Sequence, residues 1–182
     1  MPGKTVTEPI EPNFDWHWCW QQDQLCLQTS AGLQPTALSH TALCRNSVAS
    51  AAGAFTLGQA EIYWQCLFAL EPLHWPQQAV FSACVDAVAQ LEYAQACAHK
   101  SFYLQSQHSR CHPQPFDLVE LCGRNRALAI VLTADASQCR LMLLSELDTL
   151  TGRVFHAGHS FSSLHDRLTP YHPPHTPLRK SA

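Results

Sequence analysis

Charge is scarce in this chain: only 14% of its 182 residues are charged, against 46% hydrophobic. That balance excludes a self-repelling disordered chain and implies a folded core. The net charge of -3 leaves no general excess of cations for phosphate backbones, which argues against a nucleic-acid binder. Glycine is sparse as well, and the seven present form neither G-x-G-x-x-G nor G-x4-G-K-[ST]. A cradle of backbone N–H groups for phosphate therefore has no address. No G-x-S-x-G elbow occurs, and nothing singles out a catalytic pair among the fourteen carboxylates, so no catalytic residue is assigned and a non-enzyme is expected. Long apolar runs are missing: Ala127–Leu132 falls far short of the ~20 residues that span a bilayer.

Cysteine and histidine are plentiful, at nine and eleven. No cysteine pair has C-x2-C spacing. His108/Cys111/His112, His156/His159 and His172/His175 lack matching second halves, so no metal site and no cofactor are expected. Met1–Trp20 carries carboxylates and prolines where an export signal would have an apolar stretch. The cysteines are accordingly expected as reduced thiols packed like small apolar groups in a cytoplasmic protein.

Trp16-His17-Trp18-Cys19-Trp20 alternates strictly, which puts three indoles on one face of a strand. Gln21–Gln24 reads as the turn and Leu25-Cys26-Leu27 as the returning strand of a hairpin. Residues 35–50 carry a weak helical pattern, and Glu61–Phe68, rich in Ile, Tyr, Trp and Phe, reads as a short strand. Val80, Cys84, Ala87, Val88 and Leu91 recur at helical steps after Pro76, predicting a helix over 76–96. Beyond Lys100 the texture is β: strands are expected over 101–106, 116–122, 127–133, 140–145 and 153–156, with a short terminal helix over 160–168. The expected class is α+β. A leader (1–13) precedes an N-terminal α/β lobe (14–99). A small twisted β-barrel-like lobe (100–168) and a flexible tail (169–182) follow.

Charge divides along the same line. Residues 1–99 hold two cations and eight carboxylates, whereas residues 100–167 hold seven cations and six carboxylates. The second lobe is thus suited to an acidic partner. Trp16, Trp18 and Trp20 suit a recognition face and equally suit the cover of a small core. A small-ligand module with an aromatic pocket near Trp16 and Leu27 is the alternative function.

Several pieces are collinear with one family. Trp16-His17-Trp18 resembles its opening W-x-W, and Lys100-Ser101 followed by an aromatic resembles its entry to the second lobe. Gly152-Arg153, Gly158 and Asp166-Arg167-Leu168 with Pro170 follow its G-R-x4-G-x7-D-R-L-x-P pattern. Over residues 14–170 the chain is similar to ZapC, the Z-ring-associated protein C family of bacterial cell division. The resemblance implies a cofactor-free protein, recruited from the cytoplasm to the mid-cell ring. Such a protein binds FtsZ, bundles its protofilaments and restrains its GTPase activity, with self-association as one route to bundling. It also implies Lys100, Arg153 and Arg167 as FtsZ-binding residues, and Trp16, Trp18 and Leu27 around a pocket tied to bundling. Two family lysines are replaced here, by Gln95 and Thr169.

Overall fold

Alternation of large and polar side chains builds the first strand, β1 (His17–Gln21), which returns through a two-residue turn into β2 (Gln24–Thr29). The structure, a computed structural model, describes residues 10–42, 52–95, 100–107 and 111–173. Trp18 lies opposite Leu27, and Trp20 opposite Leu25, across the antiparallel pair. Gln22 makes the turn in the left-handed region, at φ 55°. β3 (Gly32–Ser39) pairs with β2, and the short β4 (Gly53–Ala54) pairs with β1. The first sheet therefore runs β3-β2-β1-β4.

β3 corrects the helix expected over 35–50, of which residues 43–50 lie outside the described residues. Thr36 and Leu38 are buried while Pro35 and Ala37 are exposed, a period of two. Pro35 is tolerated because β3 is an edge strand, and the pairing is irregular between Gln24 and Cys26.

The strand expected over 61–68 is instead the middle of helix α1 (Leu57–Leu70). Thr56 and Gln59 form a reciprocal capping box: each side chain accepts from the other residue's backbone N–H. Gln59, Tyr63, Cys66 and Leu70 then fall on one buried stripe. Period and cap together outweigh the β preference of the aromatic residues. A 3₁₀ turn (Glu71–Leu73) leads to α2 (Gln77–Tyr93), which bears out the expected helix and ends it at Tyr93. Burial on α2 extends well beyond one stripe, from Phe81 to Val85, Val88 and Gln90, as befits a helix covered on several sides.

The second half forms an open antiparallel sheet. β5 (Leu118–Cys122), β6 (Arg126–Ala134) and β7 (Gln138–Leu143) follow in a meander. β8 (Leu147–Asp148) and β9 (Val154–Phe155) make a small ribbon. β10 (Ser160–Leu164) and β11 (Leu168–Pro170) complete the order β10-β7-β6-β5-β11. Among the described residues no sheet closes into a barrel, so the barrel-like expectation is corrected to an open sheet with edges at β10 and β11. The helix expected over 160–168 is likewise two strands joined by a 3₁₀ turn (His165–Arg167). Phe161 and Ser163 are buried on alternate positions, and Leu168 pairs with Leu121. Residues 101–103 form a 3₁₀ turn, not a strand. Backbone bonds from Lys100 N–H to Ser162, Gln105 N–H to Cys122 and Gln107 N–H to Asp166 lay this segment across the sheet as a strap, with Leu104 buried beneath it.

Two cores result. Ile130, Leu132 and Met142 point one way and join Trp16, Trp18, Leu27, Tyr63, Val85 and Val88 in a single cluster. Ala129, Val131, Leu141 and Leu143 point the other way and pack with Leu104, Phe161 and Leu168. Both faces of the second sheet are covered, which is why β6 reads as a near-continuous apolar run. Among the described residues the architecture is mixed α+β: two helices and antiparallel sheets, with one face of the second sheet in the larger core and the other in the smaller. Of the boundary expected near 97–101, residues 97–99 lie outside the described residues. At the other end, Tyr63 Oη donates to the Ile10 carbonyl at 2.7 Å, tying the end of the expected leader to α1.

Candidate functional site

Where the two halves meet, β3, α2, Lys100 and β9 with the segment after it border a hollow of about 470 Å3. Leu38, Gln90, Gln95, Lys100, Phe155, His159 and Ser160 line it, and among the described residues no carboxylate does. Lys100 is fixed at its backbone by the bond to Ser162, and next to it Ser101 Oγ accepts from Leu164 N–H at 2.8 Å. Its ammonium then stands 5.0 Å from the Phe155 ring centroid and 5.8 Å from that of Tyr103, within cation–π reach of both. Arg153 Nη1 donates to Tyr103 Oη at 3.1 Å. Tyr103 thereby brings together two residues expected to act jointly, Lys100 and Arg153.

His159 stacks on Phe155, with centroids 4.7 Å apart and planes inclined 7°. Burial, then Lys100 and His156, hold its imidazole below the usual histidine range. It is neutral at physiological pH, and its buried Nε2 has no hydrogen-bond partner among the described residues. Deeper in the junction, Arg140 Nη2 donates to the Gln90 carbonyl at 2.7 Å, Ser160 Oγ donates to Gln90 Oε1 at 2.6 Å, and Gln90 Nε2 donates to the Gly158 carbonyl at 2.9 Å. These bonds lock α2 to the second sheet and set the floor of the hollow.

The glycines of the G-R-x4-G stretch have a backbone reason. Gly152 and Gly158 sit at φ +81° and +83°, where a side chain is strained. A Cβ on Gly158 would also lie 2.5 Å from Ala37 Cβ and 3.0 Å from Asp86 Oδ2. Asp86 Oδ1 accepts from Ala37 N–H at 2.7 Å, but burial outweighs that bond and pushes its carboxyl up to about 6. The proton is held more tightly when folded than at the ordinary 3.8. Stability from this group is therefore full at low pH and lost as pH rises toward and through about 6. His159 acts in the opposite sense, so the informative comparison is with Asp86→Asn, which keeps the acceptor. Wild type should lose about 1 kcal/mol relative to that variant between about pH 5 and about pH 7.5, read as the difference in their denaturant midpoints. Parallel pH profiles would contradict the assignment.

Comparison of the chain with protein-family models and with curated protein sequences gives no match.

Other expected site residues lie elsewhere. Arg167 pairs with its neighbour Asp166 at 3.2 Å and does not line the hollow. Trp16, Trp18 and Leu27 are 1%, 2% and 0% exposed, so all three are core. Trp18 Nε1 donates to Gln59 Oε1 at 2.9 Å, and Gln59 Nε2 donates to Tyr93 Oη at 2.7 Å, a buried chain that also serves the α1 cap. Trp20 stacks on His40 at 3.7 Å. Of the two positions at which the resembled family would carry lysine, Gln95 lines the hollow, whereas Thr169 faces Glu120 across β5 and β11. Sequence reading missed Tyr103, Phe155 and His159. The aromatics flanking Lys100 and Arg153 were the available signal.

A second hollow, of about 480 Å3, opens at the turn between α1 and α2. Its lining includes Tyr63, Trp64, Phe68, Glu71, Trp75 and Phe81. Tyr63 and Phe81 both pack edge-on against Trp16, at 5.6 Å, so Trp16 lies one layer beneath this hollow. Among the described residues no group of three or more His, Cys, Asp or Glu side chains could hold a metal ion. No helix there is long and apolar enough to cross a membrane.

Proposed function

We propose that this chain is a non-enzymatic accessory protein of the bacterial division ring, which binds FtsZ polymers, bundles their protofilaments and restrains their GTPase activity. The observation that carries the reading is the hollow at Lys100. An ammonium poised over two rings, Arg153 beside it and a lining without carboxylates among the described residues together suit an acidic protein surface. The resemblance in residues 152–170 supports it as well, since Gly152 and Gly158 occupy backbone positions that favour glycine. Recognition here needs no bond-breaking step.

Bundling requires two grips per linker, because the second contact then benefits from the effective concentration set by the first. Trp16, Trp18 and Leu27 are core residues, so the reading assigns the second grip to self-association, with one Lys100 hollow on each copy. Polymerised FtsZ should pellet at low speed in the presence of this protein and stay largely in solution without it. Unchanged pelleting would reject the reading.

A further inference from the structure

The hollow at the α1–α2 turn plays no part in that reading, and its chemistry is different. Its volume of about 480 Å3 falls within the ~300–1,000 Å3 of small-molecule sites. Trp64 and Phe68, one turn apart on α1, stack with centroids 6.0 Å apart and planes inclined 28°. Trp75 reaches the hollow from the link to α2, and Ile10, held by Tyr63, contributes to the wall. Among the described residues neither lysine nor arginine lines it, His74 is its one histidine, and its one carboxylate is Glu71, the C-cap of α1. Two features thus favour positive charge here, aromatic rings and a carboxylate; the carbonyl end of α1 and the first turn of α2 both border the hollow, so their dipoles oppose one another.

We propose that this hollow binds a small organic cation, a quaternary ammonium whose methyl groups pack on Trp64, Phe68 and Trp75 while Glu71 balances its charge. The proposal is independent of polymer binding. Ring faces attract a tetraalkylammonium more than a neutral group of equal shape, since the ring quadrupole acts only on the charge. Discrimination between the two therefore separates cation recognition from general greasiness.

The test uses the full chain and choline, with dimethylbutanol, in which carbon replaces the ammonium nitrogen, as the neutral isostere. Binding is followed by tryptophan fluorescence and by saturation-transfer NMR. Choline should bind about tenfold more tightly than the isostere, the scale of a partly desolvated cation–π contact. Glu71→Gln, at an exposed position, should weaken choline severalfold, leave the isostere unchanged and melt like wild type. Trp75→Leu should weaken both. Equal affinities for choline and isostere, or no choline response, would overturn the proposal. So would a response seen only after removal of residues 1–9, which would make the chain's own N-terminus the occupant.

Discussion

Replacing Trp16 by alanine should destabilise the chain by about 3–5 kcal/mol, the range for emptying a large aromatic site in a packed core. Its indole is buried and meets Phe55, Tyr63 and Phe81 edge-on at 5.3, 5.6 and 5.6 Å. Each such contact adds to the area removed from water. These rings come from the residue before β1, from α1, from α2 and from the segment before α1, so the cavity would weaken the joint of sheet and helices together. Against a typical total of about 5–15 kcal/mol, a loss of this size leaves a marginal fold. Urea unfolding of wild type and Trp16→Ala measures it. A shift under about 1 kcal/mol would mean that the indole is not packed as described. The consequence for function is practical. Lost binding in Trp16→Ala would report unfolding, whereas changes at Glu71 or Lys100 leave the core intact.

Reversing the charge at Lys100 has the largest functional effect expected. Lys100→Glu removes the cation held over Phe155 and Tyr103 and puts a carboxylate into a lining that has none among the described residues. An exposed ion pair is worth only about 0.2–1 kcal/mol, but reversal exchanges attraction for repulsion, so affinity for polymerised FtsZ should fall about tenfold. Gln95→Lys should act oppositely, because position 95 lines the same hollow and the substitution adds a cation there. Arg167→Glu should change little, since Arg167 is engaged by Asp166 outside the hollow. Equal losses for Lys100→Glu and Arg167→Glu in sedimentation assays would reject the hollow as the contact.

Legibility in the sequence followed the strength of local patterning. The opening hairpin, α2 and the meander of β5 to β7 could be read because periods of two or of three to four ran through them. α1 was misread because Ile62, Tyr63, Trp64 and Phe68 favour strands, while Thr56 and Gln59, an available capping box, were overlooked. β3 was misread because Pro35 and Ala37 argue against a strand, and only its edge position makes the proline tolerable. Residues 160–170 form edge strands whose partners are distant in sequence, and a short pattern does not announce such pairing. The same limit applies to the site. Period two in Trp16–Trp20 puts the indoles on one face, but cannot say that the face meets helices. Arg153 and Lys100 meet through Tyr103, a relation fixed by tertiary packing.

In the proposed function the Lys100 hollow grips FtsZ polymers electrostatically. Sedimentation of polymerised FtsZ with wild type and Lys100→Glu across a salt series tests it most directly. Wild type should increase the pellet at low salt and lose that effect as salt screens the contact, with Lys100→Glu weak throughout. Equal pelleting by wild type and Lys100→Glu at every salt concentration would contradict the claim.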